Sequence, residues 1–165
     1  MILTVTARDT ATRARTGTLA LAHGAVEVPA FMPVGTAATV KAASHQLLEQ
    51  LGYRIILANT YHLVIRPGLD VITRAGGLHA FSSWTGNILT DSGGYQVFSL
   101  AGLRRITEEG VTFRSHVDGD RHRFTPESVV DTQCSFGSDI QMALDVCTGF
   151  GVERREAARA ALGAV

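Results

Sequence analysis

Long apolar runs are missing from this chain of 165 residues. No stretch approaches the roughly 20 residues that cross a bilayer. The N-terminus also lacks a basic region leading into an apolar one. The expectation is a soluble, cytoplasmic protein with no membrane contact. Cysteine is scarce: Cys134 and Cys147 stand outside any Cys-x-x-Cys pair, which argues against a disulfide framework and reads as two buried reduced thiols. Charge of one sign is also lacking. Fifteen Lys and Arg balance fifteen Asp and Glu, so net charge neither invites nor excludes a nucleic-acid partner. Lysine is almost absent, since every basic residue except Lys41 is arginine, a side chain suited to phosphate. No low-complexity linker divides the chain, and 45% hydrophobic with 18% charged residues is a globular composition. Residues 1–165 therefore read as one domain or a piece of a larger one.

What is present is an alternation of strand and helix patterns. Gly17 to Val28 predicts a hairpin turning at His23-Gly24, and Phe31 to Gly35 a short strand entering a glycine loop. Ser44 caps a helix from His45 to Leu51 that Gly52 ends. Arg54 to Ala58 reads as a buried strand, with Ile55-Ile56-Leu57 apolar on both faces, as parallel sheets require. A short helix is expected over 68–76 and a strand at Ile88-Leu89. A second hairpin spans Gly110 to Phe124, turning at Val117-Asp118-Gly119-Asp120. Thr125-Pro126-Glu127 opens a helix ending near Gly137. A strand is expected from Asp139 to Leu144, and a final helix opens at Glu153.

Polar residues collect after each strand: Gly35, Asn59, Asp91 and Asp145. Parallel α/β folds place their ligand sites at these C-terminal strand ends. The fold class predicted is α/β, either an open sheet or a (β/α) barrel. A closed barrel needs about 250 residues, so this chain would supply about half of one. The richest of these ends is Leu89-Thr90-Asp91-Ser92-Gly93-Gly94-Tyr95-Gln96-Val97-Phe98. A strand there delivers a carboxylate, glycines allow close backbone approach, and Tyr95 offers a flat ring. Such a loop suits a planar, hydrogen-bonding ligand; it also suits a plain turn leaving a strand. Asp91 and Asp145 together suit acid–base work or recognition of the amidine-like edge of a guanine-type base. Either one alone suits a cap on the following turn or helix. Asn59 and His62 are second-tier candidates for the same pocket. His116, Asp118, Asp120 and His122 lie across a hairpin turn and read as solvated turn residues rather than a metal site. Arg104, Arg105, Arg114 and Arg121 are candidates for phosphate contact, although solvated loop arginines have the same appearance.

Several ordered motifs resemble the tRNA-guanine transglycosylases (queuine tRNA-ribosyltransferases) of bacterial type. They are Phe31-Met32-Pro33-Val34-Gly35-Thr36 with Ala38-Thr39-Val40-Lys41, Ile55 through Leu63, Arg66-Pro67-Gly68 and Gly76-Gly77-Leu78-His79. Ile88 through Leu100, Ile106 through His116, Gly137-Ser138-Asp139-Ile140 and Leu144-Asp145 complete the set. The resemblance implies the N-terminal part of an irregular (β/α)8 TIM-type barrel, with an N-terminal hairpin and an inserted hairpin, truncated before closure. It implies exchange of guanine at the tRNA wobble position for a 7-deazaguanine precursor of queuine. A carboxylate attacks the ribose, guanine leaves, and the new base attacks the covalent intermediate. By the resemblance Asp91 contacts the base and accepts its proton. Ser92, Gly93, Gly94 and Tyr95 line the pocket with the ring stacked on the base, and Asp145 reads the polar edge.

The departures carry their own expectations. The family's nucleophilic aspartate and its Cys-x-Cys-x-x-Cys zinc cluster lie in its C-terminal part, so no cofactor or metal is expected in this chain. After Asp145 the family has Glu-Cys-Thr-Pro-Tyr-Pro, where this chain has Val146-Cys147-Thr148-Gly149-Phe150-Gly151. Cys147 fits the bacterial form of the pocket. The isolated chain is expected to be inactive, and a homodimer is a further implication for full-length members. An uncovered barrel interior and open strand edges would make the chain poorly soluble alone. The alternatives are a non-catalytic nucleobase- or tRNA-binding subunit or remnant, and an unrelated half-barrel enzyme using the two aspartates.

Overall fold

The computed structural model describes residues 2–100 and 104–162. Strands β1 (Ile2–Arg8), β2 (Arg15–Leu21) and β3 (Gly24–Val28) form an antiparallel meander in that order. The sequence reading missed β1, whose Ile2-Leu3-Thr4-Val5-Thr6 alternation carries the signal. Helix α1 (His45–Gln50) begins at Ser44, whose hydroxyl accepts from Leu47 N at 3.2 Å. Strand β4 (Ile55–Ala58) runs straight into helix α2 (Thr60–Ile65), which had read as a polar cluster only. Helices α3 (Leu69–Arg74) and α4 (Leu78–Ser82) lead to strand β5 (Asn87–Thr90) and helix α5 (Gly94–Leu100). The glycine loop is thus shorter than it reads, because Gly94 already opens a helix.

Strands β6 (Arg104–Thr107), β7 (Gly110–Arg114) and β8 (Arg121–Phe124) form a second antiparallel sheet. The sequence reading had two strands here; β6 is the third. Helix α6 (Pro126–Phe136) has Thr125 as its cap and Gly137 in the left-handed conformation at its end. Strand β9 (Ile140–Gln141) is far shorter than the six residues expected, and helix α7 (Arg154–Leu162) follows. Gln133 explains the short strand. Its side-chain amide accepts from Met142 N (2.9 Å) and donates to Met142 O (2.9 Å), taking the place of a ladder to β5.

The strands β4, β5 and β9 are parallel and adjacent in chain order, and Val34 adds a parallel bridge to Leu57 on the far side of β4. This is mixed α/β architecture compatible with part of a TIM-type fold. Side chains alternate across it as a strand requires. Ile56, Ala58 and Ile88 face a helical core with Leu63, Ile72, Trp84 and Phe136. Ile55 and Leu89 face the meander through Val26. The expected bare interior is therefore partly covered, and the meander is what covers it.

Polar contacts fix the meander at the N-terminal ends of the strands. Asn87, wholly buried, accepts from His23 N and donates to Gly24 O and Arg54 O. Asp139 accepts from Ile88 N at 2.8 Å and pairs with His23 Nδ1 at 2.7 Å. The opposite, C-terminal ends of the strands are left for Asn59, Asp91 and Asp145.

Candidate active site

Asp91 follows β5, and its own N–H donates to Ala58 O at 3.1 Å, so the residue is held at the tip of β4 as well. Four donors converge on its carboxylate. Oδ1 accepts from Thr60 N (2.8 Å) and Gly93 N (3.2 Å); Oδ2 accepts from Asn59 Nδ2 (2.6 Å) and Gln96 Nε2 (3.0 Å). The Thr60 hydroxyl donates to Asp91 O at 2.5 Å. Asn59, expected only as a second-tier pocket residue, is a direct partner of Asp91. Thr60 and Gln96 were overlooked. Both lie inside motifs that the sequence displays, but their roles depend on which way the α2 and α5 starts turn. Gln96 Oε1 is buried with no hydrogen-bond partner among the described residues.

Asp145 belongs to a second cluster. Ser92 Oγ donates to its Oδ1 at 2.6 Å and accepts from Gly94 N at 3.2 Å; Cys147 Sγ donates to its Oδ2 at 3.3 Å. Burial, followed by the hydrogen bond to Asp145 and that residue's charge, pushes the Cys147 thiol up to about 11. The thiol is a donor here, and a poor nucleophile. Gly94 makes the cluster possible. A Cβ on it would stand 2.5 Å from Asp145 O and 2.6 Å from Asp145 Oδ1, closer than real contacts allow. Gly93 has φ of +80°, and its missing side chain leaves room for Phe124 and Tyr61.

A cavity of about 50 Å³ opens beside this cluster, lined by Gly94, Val97, Leu144, Asp145 and Cys147 and roofed by β6 and β7. A larger recess of about 760 Å³ shares Phe98, Ile106 and Cys147 and extends past Gly149 toward α7. Tyr95 stands on the first turn of α5 and is 64% exposed. His62 lies half-buried with its ring edge-on to His116 at 6.0 Å. Burial, then the nearby His116, lowers its pKa, and the charge of Asp91 partly opposes this. His116 takes Tyr61 as its partner, with Oη and Nδ1 at 2.8 Å, rather than joining Asp118, Asp120 and His122 in one ligand set.

Among the described residues, the two cysteines do not come together with a histidine in one ligand set. Neither thiol is fully buried as expected: Cys134 is exposed and donates to Gln141 Oε1, while the half-buried Cys147 is committed to Asp145. His23, His79 and Asp139 bring three ligand atoms within 4.8 Å of one another. Their rings, however, stack at 3.7 Å with only 14° between planes. An imidazole binds a metal in its own plane, and no ion can lie in both of two stacked planes.

Comparison with known proteins agrees with the motifs. The family model described as queuine tRNA-ribosyltransferase matches residues 9–162. A queuine tRNA-ribosyltransferase of Treponema denticola is 59% identical over 155 residues, covering 94% of this chain and 41% of the relative. Its counterpart in Desulforudis audaxviator is 55% identical over 157 residues, covering 95% and 42%. That of Nitratidesulfovibrio vulgaris is 60% identical over 141 residues, covering 86% and 38%. The chain spans about two fifths of the length of these curated relatives. With its ordered motifs, its parallel strand ends and a match across nearly its whole length, the chain belongs to the queuine tRNA-ribosyltransferase family.

Proposed function

We propose that this chain holds the base-recognition part of an enzyme that exchanges guanine in tRNA for a 7-deazaguanine-type base, in the cytoplasm and on a (β/α)8 barrel. The observation that carries the reading is the different state of the two aspartates. Among the described residues, each oxygen of Asp145 takes one donor. A carboxylate has about four lone-pair sites, so Asp145 keeps capacity for two more N–H groups. It borders the cavity, and the edge of a guanine-type base presents such a pair. Tyr95 offers the stacking face a flipped-out base needs. Ser92 and Cys147 hold the edge-reading carboxylate in place, and Gly94 admits it.

Asp91 has the other role. It receives four hydrogen bonds, two on each oxygen. To accept the proton that the incoming base sheds at the nitrogen joining the ribose, it must give up a donor. The side-chain donors Asn59 and Gln96 can swing away; the backbone N–H groups of Thr60 and Gly93 cannot. In this scheme the glycosidic bond breaks as a ribosyl–carboxylate bond forms, and the second base then displaces that carboxylate. The attacking carboxylate, the zinc cluster and the homodimer are carried over from the family resemblance and are placed on no residue of this chain.

Binding tests the reading without requiring turnover. Calorimetric titration with a 7-deazaguanine base is expected to show saturable binding to the wild type. Asp145→Ala should weaken it at least tenfold, because the base then loses two charge-assisted hydrogen bonds. Equal affinity in the two proteins would overturn the proposal.

A further inference from the structure

The sheet β6–β7–β8 packs one face on the molecule and turns the other to solvent. Val111, Phe113 and Phe124 are buried on the inner face. The register places Arg105, Thr112 and Arg123 in one row across all three strands of the outer face. Two residues further along β7, Arg114 lies directly opposite Arg121 on β8. All four arginines are exposed. Only Arg123 has an ion pair among the described residues, with Glu109 at 3.1 Å. Asp118 accepts from Asp120 N within the turn, and neither acid pairs with Arg114 or Arg121 among the described residues.

Like charges directly opposite on neighbouring strands destabilise a sheet. Here that repulsion is built into a chain whose net charge is zero. With strands about 4.8 Å apart and rows about 7 Å apart, the four guanidinium groups cover a patch about 7 by 10 Å before their side-chain reach. Planar forked cations at this spacing match the phosphate oxygens of a nucleic-acid backbone. An anion on the patch turns the repulsion between Arg114 and Arg121 into a shared contact.

We propose that this outer face is a docking surface for the phosphodiester backbone of an RNA strand. It holds the nucleic acid while the base is read on the other side of the same sheet, where β6 and β7 roof the Asp145 cavity. The choice of RNA over another polyanion rests on the function proposed above. The surface itself is sequence-blind, because backbone contacts position a strand without reading its bases.

The test is the salt dependence of binding of a fluorescein-labelled RNA stem–loop with guanine in the loop. Each phosphate contact on a single strand contributes about 0.7 to the slope of log K against log salt. The double variant Arg114→Gln/Arg121→Gln is expected to lower the slope by about 1.4; it removes the repulsion together with the 3.0 Å hydrogen bond from Arg114 Nη1 to Gly119 O, and a thermal melt shows that the variant is folded. Arg114→Lys/Arg121→Lys keeps the charge and should keep most of the slope. The distal pair Arg8→Gln/Arg13→Gln, on the meander, is the control and should leave it unchanged. An unchanged slope in the first variant, or an equal fall in the control, overturns the proposal. Titration with the free 7-deazaguanine base tests the preceding reading separately, since none of the four arginines lines the Asp145 cavity.

Discussion

At the scale of single residues, the site rests on one absent side chain and one shifted proton. Gly94 lies in the first turn of α5, where alanine would ordinarily favour the helix by about 0.5–1 kcal/mol. Its Cβ would collide with both the backbone and the carboxylate of Asp145. Gly94→Ala is therefore expected to destabilise the protein by about 1–3 kcal/mol, as overpacking does, and to abolish base binding. Chemical denaturation and the base titration read the two effects; a stabilised variant that still binds would contradict this packing. Cys147 offers a second check. With its thiol pushed up to about 11, it should alkylate with iodoacetamide far more slowly at pH 8 than the exposed Cys134. Asp145→Asn removes the charge and the carboxylate acceptor, so Cys147 should then react faster. Mass spectrometry at several pH values measures both rates. The two aspartates were legible in the sequence because each ends an apolar stretch, and the glycines because they stand as a pair just after Asp91-Ser92. Thr60 and Gln96 were not, since a polar side chain in a helix start has no address until the partner element is placed.

At the scale of elements, local chemistry decided the capped helices α1 and α6, and tertiary contacts decided the extent of β9. Ser44 with Gly52, and Thr125-Pro126 with Gly137, carry their own start and stop signals, and α1 and α6 form where those signals fall. The expected strand from Asp139 to Leu144 stops at Gln141, because the buried Gln133 binds both backbone groups of Met142. Gln133 Oε1 also accepts from the Thr90 hydroxyl at 2.8 Å, tying α6 to β5. No periodicity in residues 139–144 can reveal a competitor lying one helix upstream. Gln133→Ala leaves several of these groups unpaired, at about 1–3 kcal/mol for each one that stays buried. The expected outcome is a clear loss in denaturation midpoint together with faster amide exchange at Met142. Unchanged exchange there would remove this explanation of the short strand.

At the scale of the whole molecule, the meander is held to the parallel sheet by a histidine pair as well as by apolar packing. His79 Nε2 lies 3.2 Å from Asp139 Oδ2, and the ring stacks on that of His23. Burial, followed by the neighbouring His23, lowers the pKa of His79, with Asp139 partly opposing. The folded protein thus takes up this proton less readily than the unfolded chain. Stability is fully present above the unfolded value near 6.5 and is lost as pH falls through the lowered folded value. Thermal melts should drop as pH is taken from 7 toward 5, and His79→Gln should flatten that dependence; a drop of equal size in the variant would assign it elsewhere. The sequence by itself determined the α/β class, the ends of α1 and α6 and the family, because caps, apolar runs and motif order are local and survive without a partner. Only the tertiary structure decided that the two aspartates differ, Asp91 taking four donors and Asp145 two among the described residues, because a carboxylate's partners are groups that folding brings from distant parts of the chain.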